Sequence, residues 1–191
     1  MAQLPNKPNP SPRSDRSNQP SSSSNSQNRA KQNDLTAEGQ RNEDIVTTIV
    51  KKIDGFKIGL REYKIREIVE DTNELGKILA VKGDKGLKTN QIRKFLDAIN
   101  RFKVQQRKNT GFSENHRDEL HILRYQLAYA AARQKKKDSD PVEPLKKVLE
   151  AAIKQTGVTG NDLERLEDFN RLVQLVESIV AYHKAAGGKD Q

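Results

Sequence analysis

Hydrophobic residues recur every three or four positions along almost the whole chain after residue 34, and this spacing constrains the fold more than any other feature. It places apolar side chains along one side of a helix, whereas a half-buried strand would need alternation at every second position. The pattern predicts five helices, which cover residues 62–81, a stretch that begins with Thr89 as its N-cap, and residues 115–137, 142–155 and 161–185.

Residues 35–60 are harder to assign because six β-branched residues follow one another from Ile45 to Val50. Such residues favour strands, but Ile45, Ile49 and Ile53 also fit one side of a helix. A strand here would find no partner elsewhere in the chain, so we favour a short helix. Five or six helices without strands predict an all-α fold, a compact helical bundle.

The apolar stripes also predict how the helices pack. The helix at 115–137 carries leucines on one side and Ile122, Tyr125 and Tyr129 on the opposite side. A helix that is apolar on two sides is expected at the centre of a bundle. The two tyrosines could instead stack on nucleic-acid bases, but packing is the commoner use of such a pair, and we favour it. The stripes of other helices include Ile65, Val69 and Leu163.

Residues 1–34 differ from the rest of the chain in composition, with five of the seven prolines, eight serines and very few hydrophobic residues. Such a segment buries too little apolar surface to offset the entropy cost of ordering it. We therefore predict a disordered tail at 1–34 and a helical bundle domain at 35–191.

The chain has a formal net charge of +9, from 35 basic and 26 acidic residues, and it has no cysteine. The lack of cysteine excludes disulfides, thiol nucleophiles and Cys-based metal sites, and it suits a reducing compartment. No apolar run is long enough to cross a bilayer, so we expect a cytoplasmic protein without a membrane partner. The positive excess indicates a polyanionic partner, such as RNA, DNA or an acidic protein.

Candidates for catalysis are few. His116 and His121 are five residues apart on a predicted helix, about 140° apart around its axis, which is poor geometry for sharing a metal ion or a proton. His183 lies at the edge of an apolar stripe, where a core or interface position is commoner. Acidic residues are scattered, and no Gly-rich phosphate loop occurs. We predict no enzyme activity, no catalytic residue, no metal and no cofactor.

Basic residues are more regularly placed, above all on the second predicted helix. Lys94, Arg101 and Lys108 recur every seven residues, which puts them on one side, opposite the apolar stripe. Arg93 lies beside them, and Lys88 precedes them in the loop. This arrangement suits contact with the phosphates of a nucleic-acid backbone. The alternative is an ordinary solvated helix face.

A second basic group lies on and after the helix at 115–137. It comprises Arg124, Arg133 and the lysines at 135–137. Compensation of the helix dipole would also explain the lysines, because they follow the C-terminal end of the helix.

One carboxylate is placed unusually by the helical projection. Glu177 falls between Val173 and Val180, inside the apolar arc of the last helix. A carboxylate there needs a partner, so we expect an ion pair with an arginine. The candidates are Arg93, Arg124 and Arg133.

Three segments, in this order and spacing, carry a family resemblance. They read KTNQIRKFL at 88–96, LRYQLAYAAAR at 123–133, and VESIVAYHK at 176–184, the last leading to Gly187 and Gly188. Together they resemble the small subunit of type III-A CRISPR-Cas effector complexes, the Csm small subunit family. The similarity extends over residues 60–190.

The resemblance implies a non-catalytic, RNA-binding structural subunit of a crRNA-guided antiviral complex. In this family several copies stack head to tail along the crRNA and target RNA duplex and touch its backbone more than its bases. The implied partners are crRNA, target RNA, the crRNA backbone subunits, the large polymerase-like subunit and further copies of the same chain. The family's Thr-x-x-Ile-Arg-Lys pattern falls on residues 89–94, and its Tyr-x-x-x-Arg pattern falls on Tyr129 and Arg133.

Residues and resemblance together give one set of candidate RNA-binding positions. They are Lys88, Thr89, Arg93, Lys94, Arg101, Lys108, Arg124 and Arg133. The alternative function is a helical adaptor whose basic face docks acidic proteins, with only incidental RNA contact. A third hypothesis is a ribonuclease that uses His116 or His183.

Overall fold

The computed structural model describes residues 23–80, 87–106, 112, 114–134 and 140–188, with side chains except those of 23–36, 91, 105, 106, 114, 130 and 134. The chain divides between Ala37 and Glu38 into two units. The second unit, residues 38–191, contains the hydrophobic core.

The described residues form six α-helices and no strand, which confirms the all-α prediction. The helices are α1 (Ser23–Asp54), α2 (Ile65–Leu79), α3 (Thr89–Gln106), α4 (Glu114–Gln134), α5 (Glu143–Lys154) and α6 (Asp162–Ala185), and a 3-10 turn at Leu60–Glu62 precedes α2. The five helices predicted from the apolar spacing correspond to α2 through α6, with ends displaced by up to three residues.

Helix α1 is longer than the short helix predicted within residues 35–60. The β-branched cluster stays helical because Val46, Ile49 and Ile53 all point into the core from one side. The helix begins at Ser23, inside the segment predicted as a tail, and no proline or glycine interrupts residues 21–38. Residues 1–22 of that predicted tail lie outside the described residues.

Helix α6, rather than α4, lies at the centre of the bundle. It packs against α2, α3 and the 3-10 turn, while α4 packs against α3 and α5. The second apolar side of α4 faces solvent, so the prediction of a central α4 was wrong. Its exposed residues are Ile122, Tyr125 and Tyr129. Three further members of the predicted stripes are exposed as well, namely Ile65, Val69 and Leu163.

Helices α2 and α6 make the most extensive contact in the fold, and a glycine sets their separation. A Cβ atom on Gly76 would lie 2.7 Å from the carbonyl carbon of Tyr182 and 2.9 Å from the backbone nitrogen of His183. The backbones therefore touch at this point. One turn earlier, the hydroxyls of Thr72 and Ser178 hydrogen-bond at 2.6 Å across the same interface.

Two polar clusters join the segment between α1 and α2 to the rest of the bundle. In the first, the buried Tyr63 hydroxyl donates to Asp71 Oδ2 at 2.5 Å, and Lys52 Nζ donates to the same oxygen at 2.6 Å. Burial and the neighbouring Asp71 raise the pKa of Tyr63 well above its usual range, so its hydroxyl stays protonated and serves as a donor.

In the second cluster, the fully buried carboxylate of Asp168 on α6 binds Arg61. Its Oδ1 accepts from the Arg61 backbone N–H at 2.8 Å, and its Oδ2 accepts from Arg61 Nη1 at 3.0 Å and the Gly157 backbone N–H at 3.1 Å. Burial raises the pKa of the Asp168 carboxyl, and these donors oppose that rise. They are therefore what permits a carboxylate at this buried position.

Gly76→Ala should lower the free energy of unfolding by about 1–3 kcal/mol, because the added methyl group forces α2 and α6 apart. The matched control is Gly39→Ala on α1, where a Cβ would meet nothing within 4 Å. That change should raise stability by up to about 1 kcal/mol, since alanine favours a helix. Urea unfolding followed by circular dichroism measures both. Equal effects at the two positions would contradict the close approach.

Asp168→Asn should destabilise the fold by about 3 kcal/mol, because an amide cannot accept all three hydrogen bonds and leaves Arg61 with only the longer, 4.0 Å ion pair to Glu164. Glu177→Gln, on the exposed side of the same helix, should stay within about 0.5 kcal/mol of the wild type. Thermal and urea unfolding compare the two. A large loss of stability in Glu177→Gln would instead support the buried ion pair predicted from the sequence.

Candidate nucleic-acid interface

Helix α3 has two distinct sides. One side enters the core with Ile92, Phe95, Ile99 and Phe102. The other side exposes Arg93, Lys94 and Arg101, as the sequence predicted, and Lys88 is exposed immediately before the helix. The predicted Lys108 lies outside the described residues. Because the apolar side is buried, packing itself directs these cations to the surface.

Thr89 does not belong to that exposed set. It is the first residue of α3 rather than its N-cap, and it is completely buried. Its hydroxyl lies 3.3 Å from Nδ1 of His183, while Nε2 of the same ring lies 2.9 Å from the carbonyl oxygen of Leu87. With Nε2 as the donor to Leu87, Nδ1 accepts from Thr89. Thr89 therefore anchors the start of α3, and it is too deeply buried to contact RNA.

The C-terminal end of α6 forms the other half of this anchor. Gly187 has φ of 90°, its N–H donates to Lys184, and the Gly188 N–H donates to the carbonyl of His183 at 2.9 Å. This pattern is a Schellman motif, in which a left-handed glycine ends the helix. A side chain on Gly188 would collide with the His183 ring at 2.1 Å. Gly187 thus closes the turn, and Gly188 lies against the imidazole.

The two arginines of α4 lie on different sides of the helix. Arg124 and Arg133 are nine residues apart, about 180° around the axis, so one flat RNA surface cannot hold both. Arg133 is exposed. Arg124 is half-buried, and its Nη1 lies 3.4 Å from Nδ1 of His121. The structure therefore separates Arg124 from the cations of α3.

A groove between α3 and α4 brings one cation of α3 next to α4. Its lining residues are Ala98, Arg101, Phe102, Glu119, Ile122, Leu123 and Gln126. Tyr129 follows Gln126 by one turn on the same side of α4. The sequence reasoning missed that the tyrosines are exposed. One clue was present in the sequence, because apolar and polar residues are poorly separated around α4. That pattern does not show which side of the helix lacks a packed neighbouring helix.

The histidines occupy separate surroundings. His116 packs edge-on against Phe102, with ring centroids 5.2 Å apart, whereas His121 is exposed and His183 is buried against Leu87 and Thr89. The core position expected for His183 is confirmed. Within the described part of the chain, no three His, Asp or Glu side chains are grouped to hold a metal ion. No helix among those residues is long and apolar enough to span a membrane.

Glu177 does not form the predicted ion pair. It is exposed, and among the described residues no ion pair joins it to Arg93, Arg124 or Arg133. Helix α6 leaves one side open to solvent, in which Glu177 lies with Asn170, Gln174, Ala181 and Lys184. The buried carboxylate of α6 is Asp168 instead, four residues before the buried Leu172.

A family model described as Csm2 Type III-A matches residues 62–189, about two thirds of the chain. The chain belongs to the Csm2 Type III-A family. It is therefore a subunit of a type III-A CRISPR complex, and the resemblance found in the sequence is confirmed. Comparison with curated proteins and comparison with solved structures each give no match.

The matched region contains α2 through α6 of this Csm2 family member and leaves out α1. Two of the three resembling segments meet in the fold, because Thr89 of the first contacts His183 of the third. The third segment also leads to Gly188, which lies against that ring. Part of the resemblance thus lies in the anchor that fixes the start of α3.

Thr89→Val should lower the free energy of unfolding by about 1–3 kcal/mol, because the isosteric side chain leaves the buried His183 Nδ1 without its hydroxyl partner. Thr48→Val on α1 is the control, since Thr48 is exposed and its hydroxyl bonds only the carbonyl of Asp44 in its own helix. That change should stay within about 0.5 kcal/mol. Unfolding in urea distinguishes them, and similar stabilities would show that the Thr89 contact is unimportant.

Proposed function

We propose that this Csm2 family member is a non-catalytic RNA-binding subunit that stacks in several copies along the crRNA and target RNA duplex and contacts its backbone in antiviral defence. The observation that carries the proposal is the exposed side of α3, where Arg93, Lys94 and Arg101 stand opposite a fully buried apolar side. Lys88 extends this row at the N-terminal end.

The chemistry of that surface fits a phosphate backbone. Lys94 and Arg101 are two turns apart, roughly 10 Å along the helix axis. Cations spaced in this way neutralise neighbouring phosphates and release counterions, which gives affinity without reading the bases. Asp97 is exposed on the same helix and reduces the local positive field. We therefore expect modest affinity for each copy, with tight binding arising from several copies on one RNA.

Three exposed apolar side chains support contact with further subunits, including other copies of the chain stacked head to tail. They lie in parts of the sequence that are distant from α3. Ile58, Val158 and Leu163 are exposed, and Leu163 has 73% of its surface accessible. The loop that carries Ile58 and the loop that carries Val158 are joined, because the Thr159 hydroxyl donates a hydrogen bond to the carbonyl of Ile58. Exposed apolar side chains on and next to linked loops suit contact with a protein partner.

Arg93→Glu combined with Lys94→Glu should weaken the binding of single- and double-stranded RNA at least about tenfold, because two phosphate contacts become repulsions. Wild-type affinity should fall linearly on a plot of log affinity against log salt, and the variant should show a shallower slope. Fluorescence anisotropy with labelled RNA measures both quantities.

The matched control is Arg66→Glu with Lys77→Glu on α2, which changes the net charge equally at two exposed positions. It should keep RNA affinity within about threefold, since only the long-range charge changes. Equal losses in the two variants would contradict a placed RNA surface. The adaptor function would be favoured instead if the α3 variant keeps its RNA affinity but no longer binds partner subunits. RNase treatment of the wild-type complex should then not release those partners.

A further inference from the structure

Two tyrosines on α4 stand in solvent although they are among the largest side chains of the chain. Tyr125 is 63% exposed and Tyr129 is 68% exposed, and they are one turn apart. The opposite side of α4 already supplies the core with Leu120, Leu123 and Leu127. The packing role favoured from the sequence is thus wrong, and the fold does not use these two rings.

Tyr129 continues the α4 side of the groove between α3 and α4, and Tyr125 lies one turn before Tyr129. Ile122 and Gln126 line that groove opposite Arg101. Tyr129 lies seven residues after Ile122 and three after Gln126, so it continues the same side of α4 by one turn. Arg133, which is exposed, follows Tyr129 by a further turn.

The two helices run in opposite directions. The Phe102 ring contacts His116 near the start of α4, whereas Ala98, one turn earlier on α3, shares the groove with Gln126. Moving two turns from Arg101 reaches Lys94 on α3, and moving two turns from Ile122 reaches Tyr129 on α4. Lys94 on α3 and Tyr129 on α4 therefore both lie toward the same end of the groove, beyond Ala98 and Gln126.

Charge varies along this groove. The end near Ile122 carries the acidic residues Asp118 and Glu119, both exposed. The end near Tyr129 carries Lys94 and Arg133. Arg101 also lies at the Ile122 end and offsets part of this negative charge, so an anionic chain is attracted to the tyrosine end more strongly than to the other.

We propose that this face binds single-stranded RNA, with unpaired bases stacked on Tyr125 and Tyr129 and with phosphates held by Lys94, Arg101 and Arg133. Exposed aromatic rings beside cations form the stacking platforms of single-strand binders, and stacking accepts any base. A duplex offers phosphates but hides the faces of its bases, so the tyrosines add affinity only for unpaired nucleotides. The inference rests on the proposed RNA binding and adds a preference for single strands.

The test compares full-length Tyr125→Ala/Tyr129→Ala with Tyr125→Phe/Tyr129→Phe, which keeps the rings. The probes are a 12-nucleotide uridine-rich RNA and a blunt RNA duplex of the same length, at one fixed salt concentration. The alanine variant should lose at least about tenfold in affinity for the single strand, and the phenylalanine variant should lose less than about threefold. Affinity of both variants for the duplex should stay within about twofold of the wild type.

A second readout follows stacking directly. The chain has four tyrosines and no tryptophan, so its intrinsic fluorescence reports tyrosine alone. Single-stranded RNA should quench this emission in the wild type and should not quench it in the alanine variant. Circular dichroism checks that each variant is folded, as the exposure of both rings leads us to expect.

The outcomes separate this inference from the proposed function. Equal loss for single strand and duplex, or no loss for either, overturns the stacking role. Unchanged RNA binding with loss of self-association or of a partner subunit assigns the tyrosines to a protein interface and also overturns it. If the wild type binds neither RNA, both the stacking role and the proposed function fail. If substitution of Arg93 and Lys94 lowers RNA affinity and substitution of the tyrosines does not, only the stacking role fails.

Discussion

The contact between α2 and α6 at Gly76 is the constraint on which the rest of the bundle depends. It brings the two backbones within van der Waals distance next to the buried His183. Because α6 is held against α2 in this way, the C-terminal end of α6 is a fixed point in the bundle. His183 uses that point to bind Leu87 and Thr89, and this sets where α3 begins. The position at which α3 begins thus depends on a contact between two other helices, while the burial of its own apolar side directs its cations outward.

The apolar period was enough to predict the helices but not their neighbours. It located α2 through α6 closely because each has at least one side that must leave water. It misplaced the centre of the bundle because two apolar sides on α4 look the same in sequence whether or not another helix covers the second one. Coverage is a tertiary property, and Ile122, Tyr125 and Tyr129 show that the second side of α4 was left in solvent.

Carboxylates on α6 show the same limit in finer detail. Glu177 and Asp168 both adjoin apolar positions, and a projection treats the apolar arc as a uniform sector. The structure instead leaves Glu177 on the side of α6 that is open to solvent, and it surrounds Asp168 with three N–H groups of Arg61 and Gly157. Two of those donors are backbone groups whose direction depends on loop shape, which the period of a helix does not encode. Thr89 was misassigned for a related reason, because its partner lies 94 residues away.

The regularity of α3 and α4 bears on what the proposed RNA face can recognise. Among the described residues, positive φ occurs only at Gly59, Gly157, Gly160 and Gly187, and all four lie outside these two helices. A surface made of uninterrupted helix has its backbone N–H groups engaged internally, so it presents only side chains. Long cations and tyrosine rings on such a surface can hold phosphates and stack on bases, but they offer few fixed hydrogen bonds to base edges. A face of this construction suits a subunit that must accept any guide and target sequence.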